Sequence, residues 1–89
     1  MASTFQLKIA TADRLLIDSQ AAFAEIPCAN GCIGVLPSHA PLASELGAGT
    51  LKYTAENTGG SEKSLKISGG FVQVLDDCVW VLADSAETL

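Results

Sequence analysis

Apolar side chains recur at every second position along most of this chain, and that period excludes most folds. Phe5, Leu7 and Ile9 alternate with Gln6 and Lys8; Leu51, Tyr53 and Ala55 alternate with Lys52 and Thr54; Leu65 and Ile67 alternate with Ser64, Lys66 and Ser68. A period of two puts neighbours on opposite faces of a strand, whereas a helix needs apolar residues three and four apart. Asp13 to Ser19 reads as the second strand and Ala22 to Cys28 as the third. In Val79 to Ala83 both faces look buried, because Trp80 and Leu82 interleave with Val79, Val81 and Ala83. Turn residues separate the runs at Asn30-Gly31, Asn57-Thr58-Gly59-Gly60, Gly69-Gly70 and Asp76-Asp77. Roughly ten short strands at such spacing, with no helical stretch between them, predict an all-β sandwich or barrel.

The 89 residues, 48% apolar and 17% charged, suffice for one ordered domain spanning 1–89. A chain of this size buries roughly 60–65% of its unfolded surface. No linker, repeat or low-complexity tract interrupts it, and no apolar run nears the roughly 20 residues of a membrane span. Met1-Ala2-Ser3-Thr4 lacks the basic-then-apolar layout of a secretory leader, so a cytosolic chain without membrane insertion is expected. A formal charge of −5, with Lys8, Arg14, Lys52, Lys63 and Lys66 scattered, repels phosphate backbones; nucleic acid is not an expected partner.

The segment Asn30 to Leu42 carries the strongest local constraints. Asn-Gly favours the two positive-φ positions of a tight hairpin turn. Pro37 and Pro41 fix their own φ and push Leu36 and Ala40 out of the helical region. Between them lies a stiff exposed loop with the only histidine, His39. That layout suits a protein that docks a loop on a neighbour. A turn at Asn30-Gly31 sets Ala29 opposite Cys32 and Cys28 opposite Ile33, so Cys28 and Cys32 face opposite ways, a poor geometry for a mutual bridge. Within the run Leu65 to Leu75, Gly69-Gly70 predicts a bulge or a strand changing sheets.

Chemistry finds little support. Ser38 and His39 are adjacent, and neighbours in an extended loop project apart, which defeats a nucleophile–base pair. Cys28, Cys32, His39 and Cys78 could be read as a zinc set, but the paired ligand spacing of structural zinc sites is absent. Asp76-Asp77 reads as a turn rather than a carboxylate pair. Neither a phosphate-binding Gly-rich loop nor a dinucleotide fingerprint occurs. Three cysteines, an odd number, do not suggest a disulfide framework. No cofactor and no catalytic residue is expected.

The order Gly31-Cys32-Ile33-Gly34-Val35-Leu36-Pro37-Ser38-His39-Ala40-Pro41-Leu42 resembles the G-x-x-G-hydrophobic-x-P-x-H-A-P-L pattern of the ATP synthase epsilon subunit. Gly49-Thr50-Leu51, Ile67-Ser68-Gly69-Gly70-Phe71-Val72-Gln73-Val74 and Val79-Trp80-Val81-Leu82-Ala83-Asp84-Ser85-Ala86-Glu87 follow in the family's order. Phe5 to Ile9 and Arg14-Leu15-Leu16 look like its first two strands, so the similarity covers essentially the whole chain. The resemblance implies a two-sheet β-sandwich, the family's N-terminal domain. It implies a non-catalytic subunit at the foot of the rotating central stalk, on the cytoplasmic face of the energy-transducing membrane. Its partners there are the gamma subunit and the polar loops of the c-ring, and its role is to couple proton flow to ATP synthesis.

Carried over by residue, Asn30, Gly31 and Cys32 match the hairpin tip that faces the ring. Ser38 and His39, with Leu42 closing the loop, match the neighbouring contact near ring and gamma. Relatives that hold a charged residue at the position of Cys32 can pair it with basic ring loops, whereas a thiol cannot make that contact. Family members commonly continue into a helical hairpin that inhibits hydrolysis or binds ATP; those roles are not assigned to these residues. A lipoyl- or biotinyl-carrier domain is the alternative. It needs a lysine at a hairpin tip, and only Lys63 lies near a turn, flanked by Glu62 and Ser64. An oligonucleotide-binding barrel fails on charge and on exposed aromatics.

Overall fold

A computed structural model describes residues 4–55 and 62–88, and these contain seven strands and no helix. They are β1 (Phe5–Ala10), β2 (Leu15–Cys28), β3 (Gly31–Val35), β4 (Leu42–Glu45), β5 (Ala48–Ala55), β6 (Glu62–Leu75) and β7 (Cys78–Thr88). The Asn57 to Gly60 turn expected from the sequence lies outside the described residues.

Three long strands change partners halfway. The first half of β2 pairs with β1 from Phe5↔Ala21 to Ile9↔Ile17, and β1 runs parallel to β7 from Gln6↔Cys78 to Ala10↔Leu82. That part of β7 pairs with β6 from Phe71↔Leu82 to Leu75↔Cys78, and β4 closes the edge from Leu42↔Val74 to Glu45↔Phe71. The second sheet uses the other halves. β3 pairs with β2 from Ala24↔Val35 to Cys28↔Gly31, β2 with β5, β5 with β6 from Ala48↔Ser68 to Thr54↔Glu62, and β6 with the end of β7. Each sheet therefore holds five strand segments. The expected number of short strands becomes seven, because β2, β6 and β7 each serve twice.

At each corner the alternation slips by one residue. In β6 the inward side chains are Leu65 and Ile67 before the corner and Val72 and Val74 after it. In β2 they are Ala21 before it and Ala24, Ile26 and Cys28 after it, with a register shift between Ala21 and Phe23. Asp13 to Ser19 and Ala22 to Cys28 are thus not two strands. No turn separates them, and a single bulge bends β2 without ending it.

Gly69 and Gly70 form the corner of β6. The β6–β7 register runs unbroken through them, from Ser68↔Ser85 to Gly70↔Ala83, while the other neighbour changes from β5 to β4. The strand changes sheets there and does not bulge. Gly70 has φ +115, and a Cβ on it would lie 2.0 Å from the Leu82 carbonyl oxygen, so only glycine fits.

Between the sheets lies one core, built on Phe5, Leu7, Ile9, Ile26, Leu51, Leu65, Ile67, Val79 and Val81, all at most 1% exposed. Each such side chain is worth about 1.5–3 kcal/mol of burial. The ladder closes on itself, since β1 pairs with both β2 and β7 while β7, β6, β5 and β2 pair in series. Among the described residues β3 and β4 stand outside this circuit, each bonded on one side, and the first half of β2 and the end of β7 also pair on one side, with β1 and β6 respectively.

Candidate docking surface

Two hairpins set the site geometry; the turn of the first differs from expectation, and that of the second lies at Asp76-Asp77 as expected. Cys28↔Gly31 puts Ala29 and Asn30 at the tip of the β2–β3 hairpin, one residue earlier than Asn30-Gly31. The cause is tertiary. The Ala29 N–H donates to the Glu45 carbonyl at 3.0 Å, which removes Ala29 from the ladder, and Gly31 takes the positive φ of +119. Cys28 is buried and Cys32 exposed, so the two thiols do face opposite ways. The tight turn with positive φ at both central residues is Asp76-Asp77, at 50° and 58°, closing Leu75↔Cys78. Aspartate tolerates the left-handed region better than most side chains.

The Pro37–Pro41 loop is built on a turn in which the His39 N–H donates to the Leu36 carbonyl at 3.2 Å. Pro37 occupies the second position and Ser38, at φ 65, the third, which is the pattern of a type II turn. The Ser38 N–H donates to the Asp77 carboxylate at 2.5 Å. His39 Nδ1 lies 2.7 Å from the Ala40 carbonyl oxygen; a carbonyl only accepts, so Nδ1 is the donor. That nitrogen is thereby engaged within the loop.

The six residues singled out from sequence do not form one cluster. Asn30, Gly31 and Cys32 are exposed at a tip braced against Glu45, and the Gly47 N–H donates to the Pro27 carbonyl at 3.0 Å beside it. Ser38, His39 and Leu42 lie at the other end of β4, next to Val74 and Asp77. The span of β4 from Leu42 to Glu45, roughly 10 Å, separates the groups. The supposed zinc set is also scattered over the core, the tip, the loop and β7, and among the described residues no three His, Cys, Asp or Glu converge to hold a metal. Lys63 lies inside β6 opposite Tyr53, in a paired ladder rather than at a tight tip.

The sequence reading missed a third region. On the outer side of the first sheet, Phe71 is 62% exposed and its cross-strand partner Leu82 is 52% exposed. Leu75, also exposed, faces Cys78, and Gln73 faces the half-buried Trp80, over whose ring Lys8 Nζ sits 4.8 Å from the centroid. Leu82 corrects the expectation that both faces of Val79–Ala83 are buried. Together they make an apolar stripe, with Gln73 within it and Lys8 and Glu45 beside it, and exposed apolar patches rimmed by polar groups are a common feature of protein contacts. Apolar residues at both parities were the available signal.

These features define a class: a β-sandwich domain whose strands pair in a closed series, with no His, Cys, Asp or Glu cluster suited to a metal among its described residues. The chain belongs to the family described as ATP synthase, Delta/Epsilon chain, beta-sandwich domain, whose model matches residues 4–89. It is 46% identical over 87 residues to the ATP synthase epsilon chain of Solibacter usitatus, covering 98% of this chain and 63% of that one. The epsilon chain of Koribacter versatilis is 44% identical over 98% of this chain and 59% of its own length. The chain thus spans about three fifths of these relatives. Among solved structures, a chain of the Euglena gracilis mitochondrial ATP synthase superposes with a TM-score of 0.89 at 28% identity, over 99% of this chain and 55% of that one. A chain of the Tetrahymena thermophila mitochondrial ATP synthase central stalk and c-ring superposes with a TM-score of 0.75 at 13% identity, over 93% and 65%, and shows the fold alone.

Proposed function

We propose that this chain acts, as one domain over residues 1–89, as a non-catalytic central-stalk subunit of an F-type proton-translocating ATP synthase. In this reading it links the gamma subunit to the polar loops of the c-ring and couples proton flow to ATP synthesis. It is a peripheral component on the cytoplasmic face of the energy-transducing membrane. The observation that carries the reading is the closed ladder joining three separated surface features. Torque passes through a body only if the body deforms less than its contacts, and a backbone-bonded circuit of strands is stiff. The apolar stripe of Phe71, Leu75, Trp80 and Leu82 suits a broad contact with gamma. The tip Asn30-Gly31-Cys32 suits the ring, and Ser38, His39 and Leu42 a contact near both. Similarity to epsilon chains and to a chain of an assembled ATP synthase supports the same reading. Lys63 in a paired strand counts against the carrier alternative.

The test is co-purification with gamma and the c-ring from membranes in which the parent chain or a loop variant replaces the native subunit. Replacing Pro37 and Pro41 by glycine should leave the sandwich folded and reduce recovery of both partners. Equal recovery would remove the loop from the docking surface.

A further inference from the structure

We propose that Asp77 is the positioning residue of the His39 loop: its carboxylate holds Ser38 in the left-handed conformation and thereby sets how Leu36, Ser38 and His39 are presented. The third position of a type II turn requires positive φ and ordinarily selects glycine or asparagine. Here a serine occupies it at φ 65, a conformation that L side chains adopt at a cost. The compensation comes from 39 positions away, where an ionised oxygen accepts the Ser38 N–H; such charge-assisted bonds are the stronger kind.

The other two bonds of the loop, His39 N–H to Leu36 and His39 Nδ1 to Ala40, stay within it. Asp77 instead ties the loop to paired backbone. It sits at φ 58 in the turn between β6 and β7, and its own carbonyl accepts the Gln6 N–H of β1 at 2.8 Å. A force on the loop therefore enters three strands of the first sheet through one carboxylate. Only the binding arm of the test below rests on the docking reading.

The experiment is amide hydrogen exchange by NMR on the full chain with two replacements at Asp77. Asp77→Gly keeps a residue suited to positive φ and removes the carboxylate. Exchange at Ser38 and His39 should accelerate about ten-fold, while Val79 and Val81 stay at the parent's rate. Asp77→Asn keeps a neutral acceptor, and Ser38 should accelerate by a smaller factor, about three-fold. Combining Asp77→Gly with Ser38→Gly supplies a residue that takes φ 65 unaided, so His39 exchange should return to within about two-fold of the parent. Parent-like rates at Ser38 in both single variants would overturn the proposal, as would failure of the double variant to restore His39. Binding to purified gamma should fall in Asp77→Gly and recover in the double variant. Unchanged binding beside the expected exchange pattern would leave the clasp standing and count against the docking reading.

Discussion

The outer faces of the two sheets differ although the same strands build both. Outside the second sheet, Glu25 faces Lys52, which faces Ser64, and Lys66 faces Glu87. Phe23 is its aromatic exception, half-buried and lying over Gly34. Outside the first sheet, β6 and β7 present Phe71, Leu75, Trp80 and Leu82 instead. One strand thus carries Lys66 and Ser68 on the outside before its glycine corner and Phe71 and Leu75 after it. Burial of the inward residues does not dictate the outer pattern, and in the proposed reading the polar face meets water and the apolar one a protein.

The largest expected effect breaks the corner on which the comparison turns. Gly70→Ala places a methyl group against the Leu82 carbonyl at a forbidden φ, and should destabilise the chain by about 3 kcal/mol or more. In a thermal melt that is a loss of more than about 12 °C; a change within a few degrees would mean that β6 does not pass this close to β7. Next comes the direct contrast. Phe71→Ser with Leu82→Asp should weaken binding to gamma at least about ten-fold while the melt moves little, and Lys66→Ser should alter neither. A binding loss as large from Lys66→Ser would erase the distinction between the faces.

Smaller effects sharpen the picture. Lys66→Glu sets a second carboxylate directly opposite that of Glu87, and should cost about 0.5 kcal/mol in chemical denaturation, less at high salt. The smallest concerns Tyr53, whose phenol is pushed above its ordinary value by burial. Its folded-state pKa exceeds the unfolded one, so its contribution is complete below about pH 10 and is lost as the phenol ionises above that. Tyr53→Phe should flatten the alkaline limb of a stability–pH profile; an unchanged limb would place the loss elsewhere.

Most of the architecture was legible because the inward residues repeat every second position within each half-strand. The corners were not, because the alternation slips at Ala22 and at Gly69-Gly70, and a slipped strand reads as two. Gly69-Gly70 still announced a change of sheet through residues that only a close backbone approach demands. The tip at Ala29-Asn30 was misplaced by one residue, since Glu45, a neighbour only in the folded chain, claims the Ala29 N–H. The Pro37 turn could be read locally, whereas its support by Asp77 depends on topology. The exposed stripe stayed hidden because Val79–Ala83 is apolar on both faces, and sequence alone does not distinguish a face covered by the core from one left for a partner.

Photo-crosslinking from position 82, with position 66 as its counterpart, in the assembled enzyme measures the contrast most directly. A gamma adduct from 82 and none from 66 is the predicted result. Adducts in equal yield from both positions, or from 66 alone, would contradict a dry face backed by a wet one.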